Sequence, residues 1–308
     1  MRLRRLLRST AAQCSLSASP SPSYLAGHRA IVIGPLRTTA SPLPPLVLLG
    51  GTAQWLDSWT GHLTALAAKR KVLLYETRGQ GGAFAQQGSS QLDVADCGLD
   101  VHADDFWRVV EAADLTPSVE RPLDCVGFSF GGRVAMAAAQ RGVIRRLCVT
   151  GVSADRGPRG RLALASWRAS LAAGDLTGFV WRLILDTYAT ATLTTREDQV
   201  GSWVASVASA NTVEGLRAII DQTHTEDPSD ATHPLAMAKT IRSQGTVESG
   251  LLLCGEEDML SSTEGGAAQA LADAAGWQYQ AVARAAHAVP IEQPVVWRKA
   301  VLQFLDKP

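Results

Sequence analysis

The chain has 308 residues, 46% of them hydrophobic, which is enough to bury one large core or two small ones. Its 29 basic and 29 acidic residues give a net charge of zero, so no excess positive charge is available to neutralise nucleic-acid phosphates. No apolar run approaches the roughly 18 residues of a membrane span. The five cysteines show no paired short spacing, and Cys125, Cys148 and Cys254 lie in apolar, strand-like runs, which predicts buried reduced thiols.

The first residues have the composition of an organellar targeting peptide. Residues 1–56 contain no Asp or Glu, and residues 1–8 place leucines on one helical face with arginines around it. A stretch rich in Ser and Ala follows, to about Ser23. An Arg-rich, Ser-rich segment without acids predicts a mitochondrial or plastid transit peptide over residues 1–24. A disordered basic tail is the alternative.

Short apolar runs alternate with amphipathic stretches from residue 25 onward. The predicted strands are residues 30–33, 46–49, 71–75, 122–126, 147–150, 251–254 and 278–282. The predicted helices are residues 55–69, 101–113, 133–140, 263–274 and 294–304. Because near-continuous apolar strands alternate with helices, the sequence predicts an α/β fold with a mostly parallel sheet flanked by helices.

Residues 155–245 break this alternation, because they have helical patterns and no convincing strand. We interpret them as a helical cap inserted between a first core segment, residues 25–154, and a second one, residues 246–308. A cap of this kind lies over the carboxyl edge of the sheet, where it shapes a pocket and excludes water. Trp167 and Trp181 in the cap are therefore candidates for the pocket wall, with core packing as the alternative.

The segment Gly127 to Gly131 places Ser129 at a predicted strand-to-helix turn, with the glycines in a G-x-S-x-G spacing. These glycines allow strand and helix to approach closely, and the turn exposes the serine hydroxyl at the carboxyl edge of the sheet. A serine nucleophile needs a base and a group that orients the base. Of the six histidines, only His287 lies in a loop between a late strand and the last helix.

From about residue 28 to its end, the chain resembles the α/β-hydrolase fold family. The resemblance rests on Gly127 to Gly131, on Gly255 to Asp258, on His287 with Glu292 to Pro294, and on Thr77 to Gly81. It implies that Ser129, Asp258 and His287 form a catalytic triad in the family's chain order. Some members of the family take the acid from an earlier strand, and Asp155 occupies that place here.

The resemblance also implies an oxyanion hole built from two backbone N–H groups. One donor would be Phe130, directly after the nucleophile, and the other Thr52, in the loop after the strand at residues 46–49. The family usually has His-Gly in this loop, whereas this chain has Gly50-Gly51. The expected substrate contacts are Gly51, Phe128, Arg133, Trp167 and Trp181.

We expect a small-molecule substrate and no cofactor or metal, because neither metal-ligand spacing nor a phosphate-binding loop is present. The first functional hypothesis is a serine hydrolase that cleaves an ester or thioester of an apolar substrate. A ligand-sensing receptor of the same fold, with little turnover, is another hypothesis. The sequence leaves the oligomeric state open.

A further hypothesis is a lyase, in which serine and histidine act together as a base. The segment from Gly127 to Met136 is similar to the nucleophile region of the menaquinone-pathway synthases, which eliminate pyruvate. Arg133 matches an arginine of that family, whereas Phe128 replaces its tyrosine. The candidates for contacts with substrate carboxylates are Arg156, Arg159, Arg161 and Arg168, with a solvated helix face as the alternative.

Overall fold

An eight-stranded sheet forms the centre of the protein in a computed structural model that describes residues 21–36, 43–82, 94–261 and 266–307. Its strands are Ser23–Leu25 (β1), His28–Ile33 (β2), Leu46–Leu49 (β3), Val72–Tyr75 (β4), Asp124–Phe128 (β5), Ile144–Thr150 (β6), Val247–Gly255 (β7) and Gln278–Val282 (β8). They lie in the order β1-β2-β4-β3-β5-β6-β7-β8; β2 is antiparallel to both neighbours, and the other pairs are parallel. The predicted α/β class is confirmed.

Helices follow most of these strands and cover both faces of the sheet. In chain order they are Thr60–Leu66 (α1), Leu99–Ala112 (α2), Phe130–Ala139 (α3), Gly157–Ala172 (α4), Leu176–Thr187 (α5), Thr190–Thr195 (α6), Glu197–Ser209 (α7), Val213–Thr223 (α8), Pro234–Gln244 (α9), Ala267–Ala275 (α10), Val289–Glu292 (α11) and Pro294–Leu305 (α12). Within the described ranges, none of the helices has the length and apolar character needed to cross a bilayer.

Alternating side chains of the central strands pack into two hydrophobic clusters, one on each face of the sheet. In β3, Val47 and Leu49 pack with α2, α3, α9 and α10, whereas Leu46 and Leu48 pack with α1 and α12. Because both faces are covered, β3 and β4 are buried along their whole length. This explains why their sequences are continuous apolar runs.

Helices α4 to α8 form a separate cluster above the sheet, built around Trp167, Phe179 and Leu216. Helix α9, at the end of the segment predicted as the cap, packs with the cluster on one face of the sheet instead of with this one. Its residues Met237 and Ile241 are buried in the same cluster as the helix that follows the nucleophile. An amphipathic pattern predicts that a helix buries one face, but it does not say which layer that face contacts.

The prediction of a leader over residues 1–24 falls almost entirely on residues 1–20, which lie outside the described part of the chain. Its last residues belong to β1, which pairs with β2 so that Ser23 faces Ala30 and Leu25 faces His28. The sequence did not predict this strand, because it has three residues and two of them are exposed.

Candidate active site

Ser129 lies between β5 and α3 in a conformation that few residues other than glycine adopt. Its φ is 51° and its ψ is −115°, and its N–H donates to the carbonyl of Thr150 at 2.7 Å. A Cβ on Gly131 would lie 2.5 Å from the Gly50 carbonyl oxygen and 2.6 Å from that of Leu49, so only glycine fits there. The close approach of α3 to the loop after β3 thus positions the serine at the carboxyl edge of the sheet.

The structure brings Ser129, His287 and Asp258 into hydrogen-bonding contact. His287 Nε2 lies 2.8 Å from Ser129 Oγ, and His287 Nδ1 lies 2.9 Å from Asp258 Oδ2. The imidazole is buried, and its ring centroid lies 5.5 Å from that of Phe128. With a proton on Nδ1, held by the carboxylate, Nε2 is free to accept the serine proton.

Asp258 is buried and is held by several donors at the end of β7. Its Oδ1 accepts from the N–H groups of Leu260 and Ser261 at 2.9 and 3.0 Å, and the Cys254 thiol lies 3.6 Å from its Oδ2. Burial alone would raise the pKa of this carboxyl, but His287 and the two backbone donors lower it below its ordinary value. Asp258 is therefore an anion at neutral pH.

Asp155, the alternative acid, has different partners. Its Oδ1 accepts from the N–H of Gly157 at 3.1 Å and from Arg161 Nη1 at 2.9 Å, in an exposed position. The structure therefore brings Asp258, and not Asp155, to the imidazole.

The sequence missed Ser261 as a neighbour of the histidine. Its hydroxyl donates to the Gly151 carbonyl at 3.0 Å and lies 3.4 Å from His287 Nδ1. Nothing in the sequence indicated that a serine three residues after the acid would lie beside the histidine.

The two expected oxyanion-hole donors, Thr52 and Phe130, both line the cavity that contains Ser129. Phe130 is the first residue of α3, so its N–H has no acceptor within its own helix. Thr52 lines the cavity in front of Ser129, in the loop that follows β3. Gly51 is not among the residues that line this cavity, and a Cβ there would lie 2.9 Å from the Phe128 ring, so its backbone packs closely against that side chain.

A cavity of about 680 Å³ opens above Ser129, between the sheet and the cap. Of the predicted contacts, Phe128, Arg133 and Trp167 line it. The structure does not place Trp181 in this wall, and its side chain is 40% exposed. Trp203, another tryptophan of the predicted cap, also lines the cavity. Further apolar residues of the wall, which the sequence did not single out, include Leu183, Ile184, Tyr188, Val207, Leu260 and Ile291.

The lining of the cavity also contains two neighbouring arginines, Arg133 and Arg156. The buried Arg133 side chain donates from Nη1 to His224 Nδ1 at 2.8 Å, and its Nε has no hydrogen-bond partner among the described residues. Arg156 lies nearby, 3.4 Å from the half-exposed Glu226 carboxylate. Burial, with Arg156 and Arg133 beside it, lowers the pKa of His224 far below its ordinary value, so that imidazole is neutral. Within the part of the chain that the structure describes, the positive charge of Arg133 is thus left without a carboxylate in direct contact.

The model of the Alpha/beta hydrolase family matches residues 46–300 of the chain. No curated protein matches it. Among solved structures, the enol-lactonase from Burkholderia xenovorans LB400 is similar, with a TM-score of 0.73 and 19% identity over 93% of this chain and 100% of that one. A hydrolase from Pseudomonas aeruginosa PA01 has a TM-score of 0.72 and 22% identity over 94% and 100%.

MenH from S. aureus is a further similar structure, with a TM-score of 0.65 and 17% identity over 90% of this chain and 97% of that one. At such identities the likeness extends to the fold alone. It covers nearly the whole of each chain, the cap included. The substrate therefore has to be argued from the residues of this cavity.

Proposed function

This chain belongs to the alpha/beta hydrolase family, and from that premise we propose that it is a serine hydrolase that cleaves a carboxylic ester or thioester. One observation carries the proposal: His287 hydrogen-bonds Ser129 and Asp258 simultaneously, at 2.8 and 2.9 Å. These are the contacts that convert a weakly nucleophilic hydroxyl into an attacking group. The apolar wall of the cavity suits a small to medium acyl or alcohol group.

In the proposed reaction, Ser129 Oγ attacks the substrate carbonyl carbon while its proton moves to His287 Nε2. The tetrahedral oxyanion accepts hydrogen bonds from the N–H groups of Thr52 and Phe130. The C–O or C–S bond then breaks, and the imidazolium protonates the leaving group. Water, deprotonated by His287, attacks the acyl-enzyme, and collapse of the second intermediate returns the proton to Ser129.

The test is labelling of the full-length protein with a fluorophosphonate probe, alongside a panel of short p-nitrophenyl esters and thioesters. We expect one covalent adduct, mapped to Ser129 by peptide mass, and saturable hydrolysis of at least one panel member. A single reacted serine is expected because, among the described residues, only Ser129 places its hydroxyl against the Nε2 of a histidine that an acid orients. Binding of small molecules without labelling or turnover would contradict the proposal and support a receptor function.

A second candidate function is the lyase reaction, and the buried Arg133 in the wall of the cavity favours it. Arg133 is buried beside a neutral imidazole, and burial lowers its pKa, so a substrate carboxylate would supply the charge partner it lacks among the described residues. Ser129 and His287 would then remove a proton next to a carbonyl, and pyruvate would leave without an acyl-enzyme. Phe128 counts against this function, because it offers no hydroxyl where the menaquinone-pathway synthases have a tyrosine.

Replacing Arg133 by Met is expected to raise the KM for an ester that carries a carboxylate about 10- to 100-fold more than the KM for its neutral methyl ester. Loss of one charge-assisted hydrogen bond has an effect of this size. The matched control is Arg161→Met, because Arg161 pairs with Asp155 in an exposed position. Equal changes of both KM values in Arg133→Met would contradict an anion site, and pyruvate release by the wild type would decide for the lyase.

A further inference from the structure

Gln80 is a buried amide that holds the loop after β3 at two points. Its side chain is almost completely inaccessible, and its Nε2 donates to the Gly51 carbonyl at 3.0 Å and to Thr77 Oγ1 at 2.9 Å. Its Oε1 accepts from the N–H of Ala53 at 2.8 Å. The orientation of this amide is fixed by its partners, because Gly51 offers an acceptor and Ala53 offers a donor. Gln80 thus binds the backbone of both neighbours of Thr52, Gly51 and Ala53.

The bonds to the Gly51 carbonyl set the direction of the Thr52 N–H, because Gln80 Nε2 and, at 3.2 Å, the N–H of Gln54 both donate to that oxygen. The carbonyl of Gly51 and the N–H of Thr52 belong to one peptide unit, and in a planar trans peptide these groups point in opposite directions. Since the carbonyl faces Gln80, the N–H faces away from Gln80. Thr52 lines the cavity beside Ser129, and an N–H directed into this cavity is what an oxyanion-hole donor needs.

Ala53 has an unfavourable backbone conformation, which the hydrogen bonds around it stabilise. Its φ is 63°, a left-handed conformation that costs energy in an alanine. Gln80 binds its N–H, and Asn211 Nδ2 donates to its carbonyl at 3.0 Å. Asn211 is a buried residue between α7 and α8, and its Oδ1 accepts from the N–H of Gly81 at 3.1 Å. The cap therefore contributes to holding the same loop.

We propose that Gln80 is a positioning residue that holds the Thr52 N–H in the direction required by the oxyanion, and that Asn211 secures the same loop from the cap. This inference rests on the proposed hydrolase function. Neither residue touches the reacting atoms, and both act through the backbone of Gly51 to Ala53. Assembly of the oxyanion hole is in this way linked to docking of the cap on the core.

The first variant is Gln80→Glu, which has nearly the same shape as the wild-type side chain. The carboxylate keeps an acceptor for the Ala53 N–H but loses both donors, and it places an oxygen against the Gly51 carbonyl. We expect kcat for an ester to fall about 100-fold, as when an oxyanion donor is removed, while KM stays within about threefold. Affinity for a trifluoromethyl ketone, whose adduct carries an oxyanion, should fall in parallel, whereas affinity for the product acid should not.

Two further variants separate positioning from folding. Gln80→Met removes every polar contact without introducing a charge, and it should reduce kcat as much as Gln80→Glu. Asn211→Asp keeps the acceptor for Gly81 but loses the donor to Ala53, and we expect a smaller loss of about tenfold. The matched control is Gln222→Glu, because Gln222 also joins the cap to the core through backbone contacts, at Ala95 and Cys97, away from the site.

The inference is overturned if both Gln80 variants melt within a few degrees of the wild type and keep kcat and trifluoromethyl ketone affinity within about threefold. It is also overturned if Gln222→Glu loses as much activity as Gln80→Glu, since the effect would then be a general one on cap docking. If one Gln80 variant does not fold, the other is judged alone by the same two limits. A wild type without labelling or turnover would contradict the proposed function instead.

Discussion

Replacement of Ser129 by Ala is expected to lower kcat for ester hydrolysis about 10⁶-fold, the size of effect found when a triad nucleophile is removed. The hydroxyl lies 2.8 Å from His287 Nε2, and no acyl-enzyme forms without it. Alanine fits the same backbone conformation about as well as serine does, so the fold should be preserved. Residual turnover should remain above the rate in water, because binding and the oxyanion-hole donors persist.

The measurement is single-turnover hydrolysis with the best ester of the panel, together with fluorophosphonate labelling and a thermal melt. Ser153→Ala is the matched control, because Ser153 lines the same cavity but donates to the Asp155 carbonyl, away from the imidazole. That control should keep kcat within about threefold. If Ser129→Ala still forms a covalent adduct, or keeps a hundredth of the wild-type kcat, Ser129 is not the nucleophile.

The parts of the site that could be predicted are those whose position follows from strand ends. Ser129 comes directly after a buried parallel strand and Asp258 three residues after the end of another, and all such ends meet at one edge of the sheet. The proximity of Ser129 and Asp258 therefore follows from the order of strands and helices along the chain, and not from the details of side-chain packing. His287 has the same property, because it lies between β8 and the last helix.

The cap illustrates what the sequence does not determine. Trp167 and Trp181 lie on adjacent cap helices and have the same chemical character, yet one lines the cavity and the other is partly exposed. Which face of α5 points inward depends on α4 and α7, which pack against it. Helical periodicity defines a face, but the partner of that face is a tertiary property.

The hydrogen bonds from Gln80 and Asn211 to the loop after β3 could not be predicted from the sequence, for a related reason. Gln80 lies within the turn from Thr77 to Gly81 that supports the family resemblance, so the turn was visible, but the amide had no predicted partner. Gly51 and Ala53 precede it in the chain, and Asn211 follows far later, in the cap. A hydrogen-bond network of this kind is defined by three loops at once. Local patterns in a single segment cannot reveal it.

Asp258→Asn is expected to lower kcat about 10⁴-fold by forcing the wrong tautomer on His287. In the native site, Oδ1 of Asp258 accepts from Leu260 and Ser261, which leaves Oδ2 for the imidazole. In the variant, the amide oxygen keeps the two backbone donors, so the NH₂ group faces Nδ1. That nitrogen must then be the acceptor, the ring proton moves to Nε2, and Nε2 can no longer accept the proton of Ser129.

The comparison variant is Asp155→Asn, which removes a carboxylate at the position where some members of the family carry the acid. Asp155 pairs with the exposed Arg161, so we expect kcat to stay within about threefold. Rates measured from pH 6 to 9 on both proteins, with a thermal melt for each, decide between the two acids. A 10⁴-fold loss in Asp155→Asn with little change in Asp258→Asn would reverse the assignment. The new amide in Asp258→Asn would keep both backbone donors, so the fold of the loop should be preserved. A loss of kcat in that variant without a drop in melting temperature therefore shows that the carboxylate charge orients His287.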